Sequence, residues 1–141
     1  MFSDSVIDRE TIQAYLETEY RVHGPAPVTL KIGIANPTLV ALHDTYGVES
    51  STFITGCNPF SQTLDPEVNE ERQAALAGEL KDRGLASIAG IGQHPSSGWA
   101  EPSYLVLGAS LEVAMALGVR HEQDAIVWGG PGAVPELVLL R

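Results

Sequence analysis

Apolar positions along the chain fall into short runs that switch between helical and strand periods. Ile12, Leu16 and Tyr20 return every four residues with Tyr15 beside them, which predicts a helix from Asp8 to Tyr20. Asp8 stands at its cap, and His23–Gly–Pro–Ala–Pro27 ends it, because proline cannot continue a helix. Val28, Leu30, Ile32 and Ile34 then alternate with Thr29, Lys31 and Gly33, the pattern of a strand with one wet face. Asn36–Pro37 opens a second helix, with asparagine as cap, proline at the first helical position, a stripe of Leu39, Leu42 and Tyr46, and Gly47 as its stop. Ser51–Cys57 is the next strand. Asp65–Pro66 repeats the cap-then-proline start, and a third helix runs to Arg83–Gly84 with Glu67, Glu70 and Glu71 at its positive dipole end.

Leu85–Gly92 reads as a strand, Gln93–Gly98 as the longest irregular stretch, and Ser103–Leu107 as a continuous apolar strand at the sheet centre. Ser110 caps a fourth helix whose apolar face is Leu111, Ala114 and Met115, with Gly118 ending it. Ala125–Trp128 and Leu137–Leu140, joined through Gly129–Gly–Pro–Gly132, predict an antiparallel hairpin. The strand–helix–strand unit from Val28 to Cys57 suits a parallel pair with a right-handed crossover. The expected fold is therefore α+β, with an irregular α/β domain as the alternative. It is a single domain over residues 1–141 with a mixed sheet of about six strands packed by about four helices.

Composition narrows the function. A chain of 141 residues fits one compact domain that needs no disulfide or metal staple. No apolar run approaches the roughly 18 residues of a membrane span. Met1–Asp8 has neither the basic nor the apolar region of a secretory signal. Cys57 is the sole cysteine, so an internal disulfide is excluded and a reducing cytoplasm is the expected location. The net charge is −10, the only lysines are Lys31 and Lys81, and the arginines are scattered. That balance argues against nucleic-acid binding, which needs clustered cations, and against anionic membranes. It favours solubility, and leaves a small molecule or another protein as the expected partner, with oligomeric state open.

The third helix carries the sharpest anomaly. By helical spacing Val68, Arg72, Ala75, Leu76, Glu79 and Leu80 share one side, so a guanidinium sits inside an apolar stripe and needs a partner or a ligand. Asn69 is one turn before it, and the short connection from Asn58 to Asp65 brings Asn58 and Ser61 close. These groups suit a carboxylate, a phosphate or a carbonyl oxygen. The competing reading is a structural ion pair from Arg72 to Glu101, Glu112, Glu122 or Asp124. Glu101 opens the most buried strand, where a raised pKa would fit it for general acid or base work, and Trp99 stands beside it as a possible lid. His23, His43, His94 and His121 have no metal-ligand spacing, so no metal and no other cofactor is evident. Cys57 facing His94 or His121 would make a nucleophile, against the commoner role of a small buried hydrophobe.

Phe53–Ile–Thr–Gly–Cys–Asn–Pro59, Asn69–Glu–Glu–Arg72, Trp99–Ala–Glu–Pro–Ser103, Leu105–Val–Leu–Gly108 and Gln123–Asp–Ala–Ile126 follow one another in this order. Together they resemble a bacterial family catalogued as domain of unknown function 3293, over nearly the whole chain. The resemblance implies Asn58, Pro59, Ser61, Asn69, Arg72, Glu101, Ser103 and Gln123 as signature positions, and supplies no reaction. The chain departs from the pattern at His121–Glu122, where an aromatic residue and then glycine would be expected. Cys57 falls at a variable position of the pattern.

The leading expectation is a polar pocket for a small ligand bearing a carboxylate, phosphate or amide, built by Asn58, Ser61, Asn69, Arg72, Ser103 and Gln123. One alternative is an enzyme with Glu101 as acid or base and Arg72 holding an anion. The other is a protein-interaction module in which the polar cluster is structural and Trp99 docks a partner.

Overall fold

The computed structural model describes residues 5–141, so the reading of Met1–Asp8 lies partly outside it. In chain order the elements are α1 (Arg9–Glu17), β1 (Glu19–Val22), β2 (Val28–Leu30), α2 (Pro37–Tyr46) and β3 (Ser51–Ile54). A 3-10 turn (Pro59–Ser61) and α3 (Pro66–Asp82) follow, then β4 (Ala86–Gln93), β5 (Ala100–Leu107), α4 (Leu111–Arg120), β6 (Ala125–Gly129) and β7 (Pro135–Leu139). Among the described residues no helix is long and apolar enough to cross a membrane.

The fold is α+β. Its seven strands form one curled sheet in the order β2-β1-β4-β5-β3-β6-β7, and every neighbouring pair is antiparallel. The expected mixed sheet and the parallel pair across Val28–Cys57 are thus corrected. The cause is β1, which the helical period of Ile12, Leu16 and Tyr20 concealed. Helix α1 stops at Glu17, and Thr18 turns its hydroxyl back onto the Ala14 carbonyl at 2.6 Å. Tyr20 then enters a strand, pairs with Leu30 and meets Phe53 edge-on at 5.3 Å. The resulting β1–β2 hairpin carries β2 to the sheet edge, with β1, β4 and β5 between it and β3.

β5 lies in the middle of the sheet, as its apolar run requires. Leu105 and Leu107 pack with Tyr20, Leu39, Leu42 and Phe53 on the α2 side. Val106 faces the other way, with Ile54, Leu76, Leu80, Ala114 and Leu117 beneath α3 and α4. Each such side chain contributes roughly 1.5–3 kcal/mol by leaving water. The buried face of α4 is Ala114, Leu117 and Gly118, whereas Leu111 and Met115 are exposed. Gly118 does not end α4: it admits Leu140 and Ile126 against the helix, where a side chain would collide.

The hairpin β4–β5 sets the stage for the site. Residues 101, 103, 105 and 107 of β5 share the α2 side of the sheet, so Glu101 and Ser103 continue the row that begins with Leu105 and Leu107. Their partners across the ladder are Gly92 and Gly90. At Gly90 a Cβ would overlap the Arg21 carbonyl and stand 3.1 Å from the Phe53 ring, so the Gly–Ile–Gly sequence serves close strand packing rather than a phosphate loop.

Candidate functional site

Beyond Ile54 the chain folds into a tight polar turn. Asn58, Phe60 and Ser61 all hold the left-handed conformation, with φ of 48°, 52° and 62°. Non-glycine residues adopt it at a cost of order 1–3 kcal/mol each, so the surroundings must hold them there. The Phe60 N–H donates to the Glu122 carbonyl at 2.7 Å, and the Leu64 N–H to Asn58 Oδ1 at 3.0 Å. Asn58 and Asn69 face each other reciprocally: the Asn58 N–H donates to Asn69 Oδ1 at 2.8 Å, and Asn69 Nδ2 to Asn58 Oδ1 at 2.7 Å. Asn58 Nδ2 is left to donate to Glu101 Oε2 at 2.7 Å.

Arg72 does not meet Glu101. Its Nε donates to the Gly56 carbonyl at 2.8 Å, one terminal nitrogen to the His121 carbonyl at 2.8 Å, and the other to Glu122 Oε1 at 3.3 Å. Of the carboxylates weighed as partners it takes Glu122, with two backbone carbonyls as its shorter bonds. The guanidinium therefore clamps the exit of β3 to the α4–β6 connection. Gly56 permits this, because a Cβ there would stand 2.7 Å from the Arg72 carbonyl oxygen. Gln73 completes the clamp by accepting from the Gly56 N–H at 2.8 Å.

Gln123 donates from Nε2 to the carbonyls of Cys57 and His121, both at 3.0 Å, which fixes its amide orientation. Ser61 Oγ donates to Asp124 Oδ2 at 2.6 Å. A carboxylate only accepts, so Tyr15, 3.0 Å from Ser61 Oγ, is the donor in that second bond. Asp124 is buried and takes Arg141 on its other oxygen at 2.6 Å. Arg141 in turn lies 4.5 Å over the Phe60 ring.

Between α1, this turn and the start of β5 lies a cavity of about 310 Å³, with Tyr15, Asn58, Ser61, His94, Trp99, Glu101 and Gln123 on its wall. Glu101 is 7% exposed. Burial pushes its carboxyl up to about 7, against the opposing pull of the Asn58 hydrogen bond. Its Oε1 has no hydrogen-bond partner among the described residues and is not sealed off, and the residue lines this cavity as well as a groove against α3. Burial likewise raises the Tyr15 hydroxyl to about 12. His94 accepts the N–H groups of Ser96 and Ser97 on Nδ1 at 3.2 and 3.1 Å, which places its proton on Nε2, 3.0 Å from Glu17 Oε1. That bond ties the β4–β5 connection to the end of α1.

Of the residues singled out from the sequence, Asn58, Ser61, His94, Trp99, Glu101 and Gln123 reach the cavity wall. Asn69 stands one bond behind Asn58, and Ser103 is buried behind Glu101, donating to its backbone carbonyl at 3.0 Å. Arg72 is outside the wall. Cys57 is buried and its thiol is pushed up by that burial, with Sγ against the Asn69 and Pro102 carbonyls at 3.9 and 3.8 Å. It is a poor nucleophile there. His121 lies on Glu79 at 2.9 Å, joined to α3 rather than facing Cys57 or His94. A wider groove of about 600 Å³ lies beyond the Asn58–Glu101 bridge, against α3, but its amides Asn69 and Gln73 are committed to the turn.

The family described as "Protein of unknown function (DUF3293)" matches residues 54–126, more than half of the chain. The chain belongs to the DUF3293 family. The matched span holds the strained turn, α3, β4, β5 and α4, and with them Asn58, Ser61, Asn69, Arg72, Glu101, Ser103, Gln123 and Asp124. It leaves out α1 with Tyr15, and Arg141. No curated protein and no solved structure matches the chain. Glu122 holds φ 58°, a conformation that glycine takes at no steric cost, and its carboxylate reaches Arg72.

Proposed function

We propose that this DUF3293 member binds a small organic ligand in the cavity beneath α1, with Glu101 as the anchoring group. The observation that carries this reading is Glu101, a nearly buried carboxyl on the wall of a 310 Å³ space, whose Oε1 has no partner among the described residues. Buried polar groups are normally satisfied, so an oxygen without a protein partner takes water or a ligand. The volume falls at the lower end of small-molecule sites, which run from about 300 to 1,000 Å³. Neither lysine nor arginine is among the described wall residues, so a carboxylate or phosphate would meet no fixed positive charge. An amide or another hydrogen-bond donor fits better. Arg72 and Asn69 serve this reading by holding the turn that presents Asn58.

A thermal-shift screen of amino acids, small amides, amines, nucleotides and sugar phosphates tests it. A ligand at a hundredfold excess over its Kd adds about 2.7 kcal/mol, or roughly 5–10 °C for a chain of this size. The shift is expected to disappear in Trp99→Ala, since Trp99 is on the wall. An unshifted melt with every class, or an equal shift in Trp99→Ala, would sink the reading.

A second reading, acid–base catalysis by Glu101, is favoured by its carboxyl at about 7, which makes both protonation states available at neutral pH. Here Glu101→Gln should retain binding of the ligand so found and lose turnover. Turnover unchanged in that variant removes Glu101 from any mechanism.

A further inference from the structure

The cavity wall is one-sided in charge, with the carboxyls of Glu10 and Glu101 and, among the described residues, no lysine or arginine. Gln123 has placed its NH₂ on two carbonyls, which leaves Oε1 as the part of its amide without a protein partner. Tyr15 has given its proton to Ser61, and Ser61 its own to Asp124. Glu101 and Gln123, both on the wall and nearly buried, thus keep oxygens without a partner among the described residues, beside the hydroxyls of Thr11, Thr63 and Ser97 and the indole N–H of Trp99. Glu10 on α1 adds a second carboxyl to the wall, Asp124 stands behind Ser61, and the chain carries a net charge of −10. Trp99 and Tyr15 supply aromatic surface.

Resting on the ligand-binding reading above, we propose that the cavity takes a small organic cation, a primary amine or guanidinium on an apolar or aromatic body. Its charged head is held by Glu101 Oε1 and Gln123 Oε1, and its body lies against Trp99 and Tyr15. An ammonium offers donors only, which matches the acceptor oxygens of Glu101 and Gln123. A carboxylate or phosphate would set acceptor against acceptor, and an amide would be held by the same oxygens but would leave the Glu101 charge unpaired. Aromatic faces beside the carboxyl attract the cation further through their quadrupoles. A desolvated charge needs a paired counter-charge, and Glu101, already buried, provides it without further reorganisation.

The test uses three probes of one size, phenethylamine, phenylacetamide and phenylacetate, titrated calorimetrically into the intact chain. Phenethylamine is expected to bind at least about tenfold more tightly than the other two, and Glu101→Gln to weaken it by about ten- to a hundredfold, the range of a hydrogen bond to a charged group. Its affinity should also rise as pH passes upward through 7, because only the ionised Glu101 pairs with the cation. Other titratable groups near the site are Glu10 and Tyr15 on α1, Tyr20 on β1, Cys57 after β3, His94 between β4 and β5, and Asp124 before β6. The slope is therefore expected to vanish in Glu101→Gln, and the parent's own slope needs no variant to fold. Preference for phenylacetamide, or a phenethylamine affinity that falls with rising pH, overturns the cation and leaves the ligand site standing. Binding of none of the probes in the millimolar range overturns both.

Discussion

Arg72→Met is expected to lower the unfolding free energy by about 3–4 kcal/mol, read as a fall of roughly 10 °C in Tm or an earlier urea midpoint. The guanidinium is three-quarters buried at its side chain and holds two backbone carbonyls in one rigid fork. Its loss removes two charge-assisted bonds, each contributing about 1.5–3 kcal/mol, and strands the buried Gly56 carbonyl. The His121 carbonyl keeps Gln123 as a donor, which limits the damage. Arg72→Lys should recover little, because a single ammonium on a flexible stem does not reproduce the fork. The exposed bond to Glu122 adds little to this sum. A loss below about 1 kcal/mol would show that the clamp contributes less than a single charged hydrogen bond.

Glu101→Gln should act in the opposite direction, and only at higher pH. The folded chain holds the Glu101 proton up to about 7, whereas the unfolded chain releases it near the ordinary 4.5. Below 4.5 both states are protonated and the parent has its full stability. Between 4.5 and 7 the unfolded state loses the proton first, so stability falls as pH rises, and above 7 the deficit is complete. At 1.36 kcal/mol per pH unit this amounts to about 3 kcal/mol. Glutamine keeps an acceptor for Asn58 Nδ2 and carries no charge. The variant should match the parent in acid and exceed it by about 3 kcal/mol above pH 7, measured by denaturant melts across that range. Parallel stability curves for the two proteins would show that Glu101 is not held protonated by burial.

The parts of this molecule governed by local chemistry were legible in its sequence. Asn36 and Ser110 cap their helices with their own side chains, as their places before Pro37 and Leu111 suggested. Gly47 closes α2 in the left-handed conformation, and the run to Leu107 is the central strand. Spacing on α3 also picked out Arg72 as a charge in need of partners, yet named carboxylates for it. Backbone carbonyls were missed because they leave no mark in a sequence. β1 was hidden because Tyr20 fits both a helical stripe and a strand position. Tyr15 and His94 escaped as cavity residues since only the closure of α1 onto the β4–β5 connection makes them neighbours. Tyr15 had been read as part of a helix stripe, and His94 had been weighed for metal and found without spacing.

The 310 Å³ cavity is assembled from two unequal shares of the chain. Its floor, with Asn58, Ser61, Glu101 and Gln123, falls within residues 54–126, the span that the family model matches, while Glu10, Ala14 and Tyr15 belong to the nine-residue α1 outside it. Floor and roof are joined by side-chain bonds, Tyr15 to Ser61 and Glu17 to His94, rather than by sheet pairing. On the proposed reading, rewriting one short helix changes what the site accepts while its anchoring chemistry stays fixed. A chimera that exchanges only α1 between family members would carry ligand preference with the roof and the Glu101 pH response with the floor.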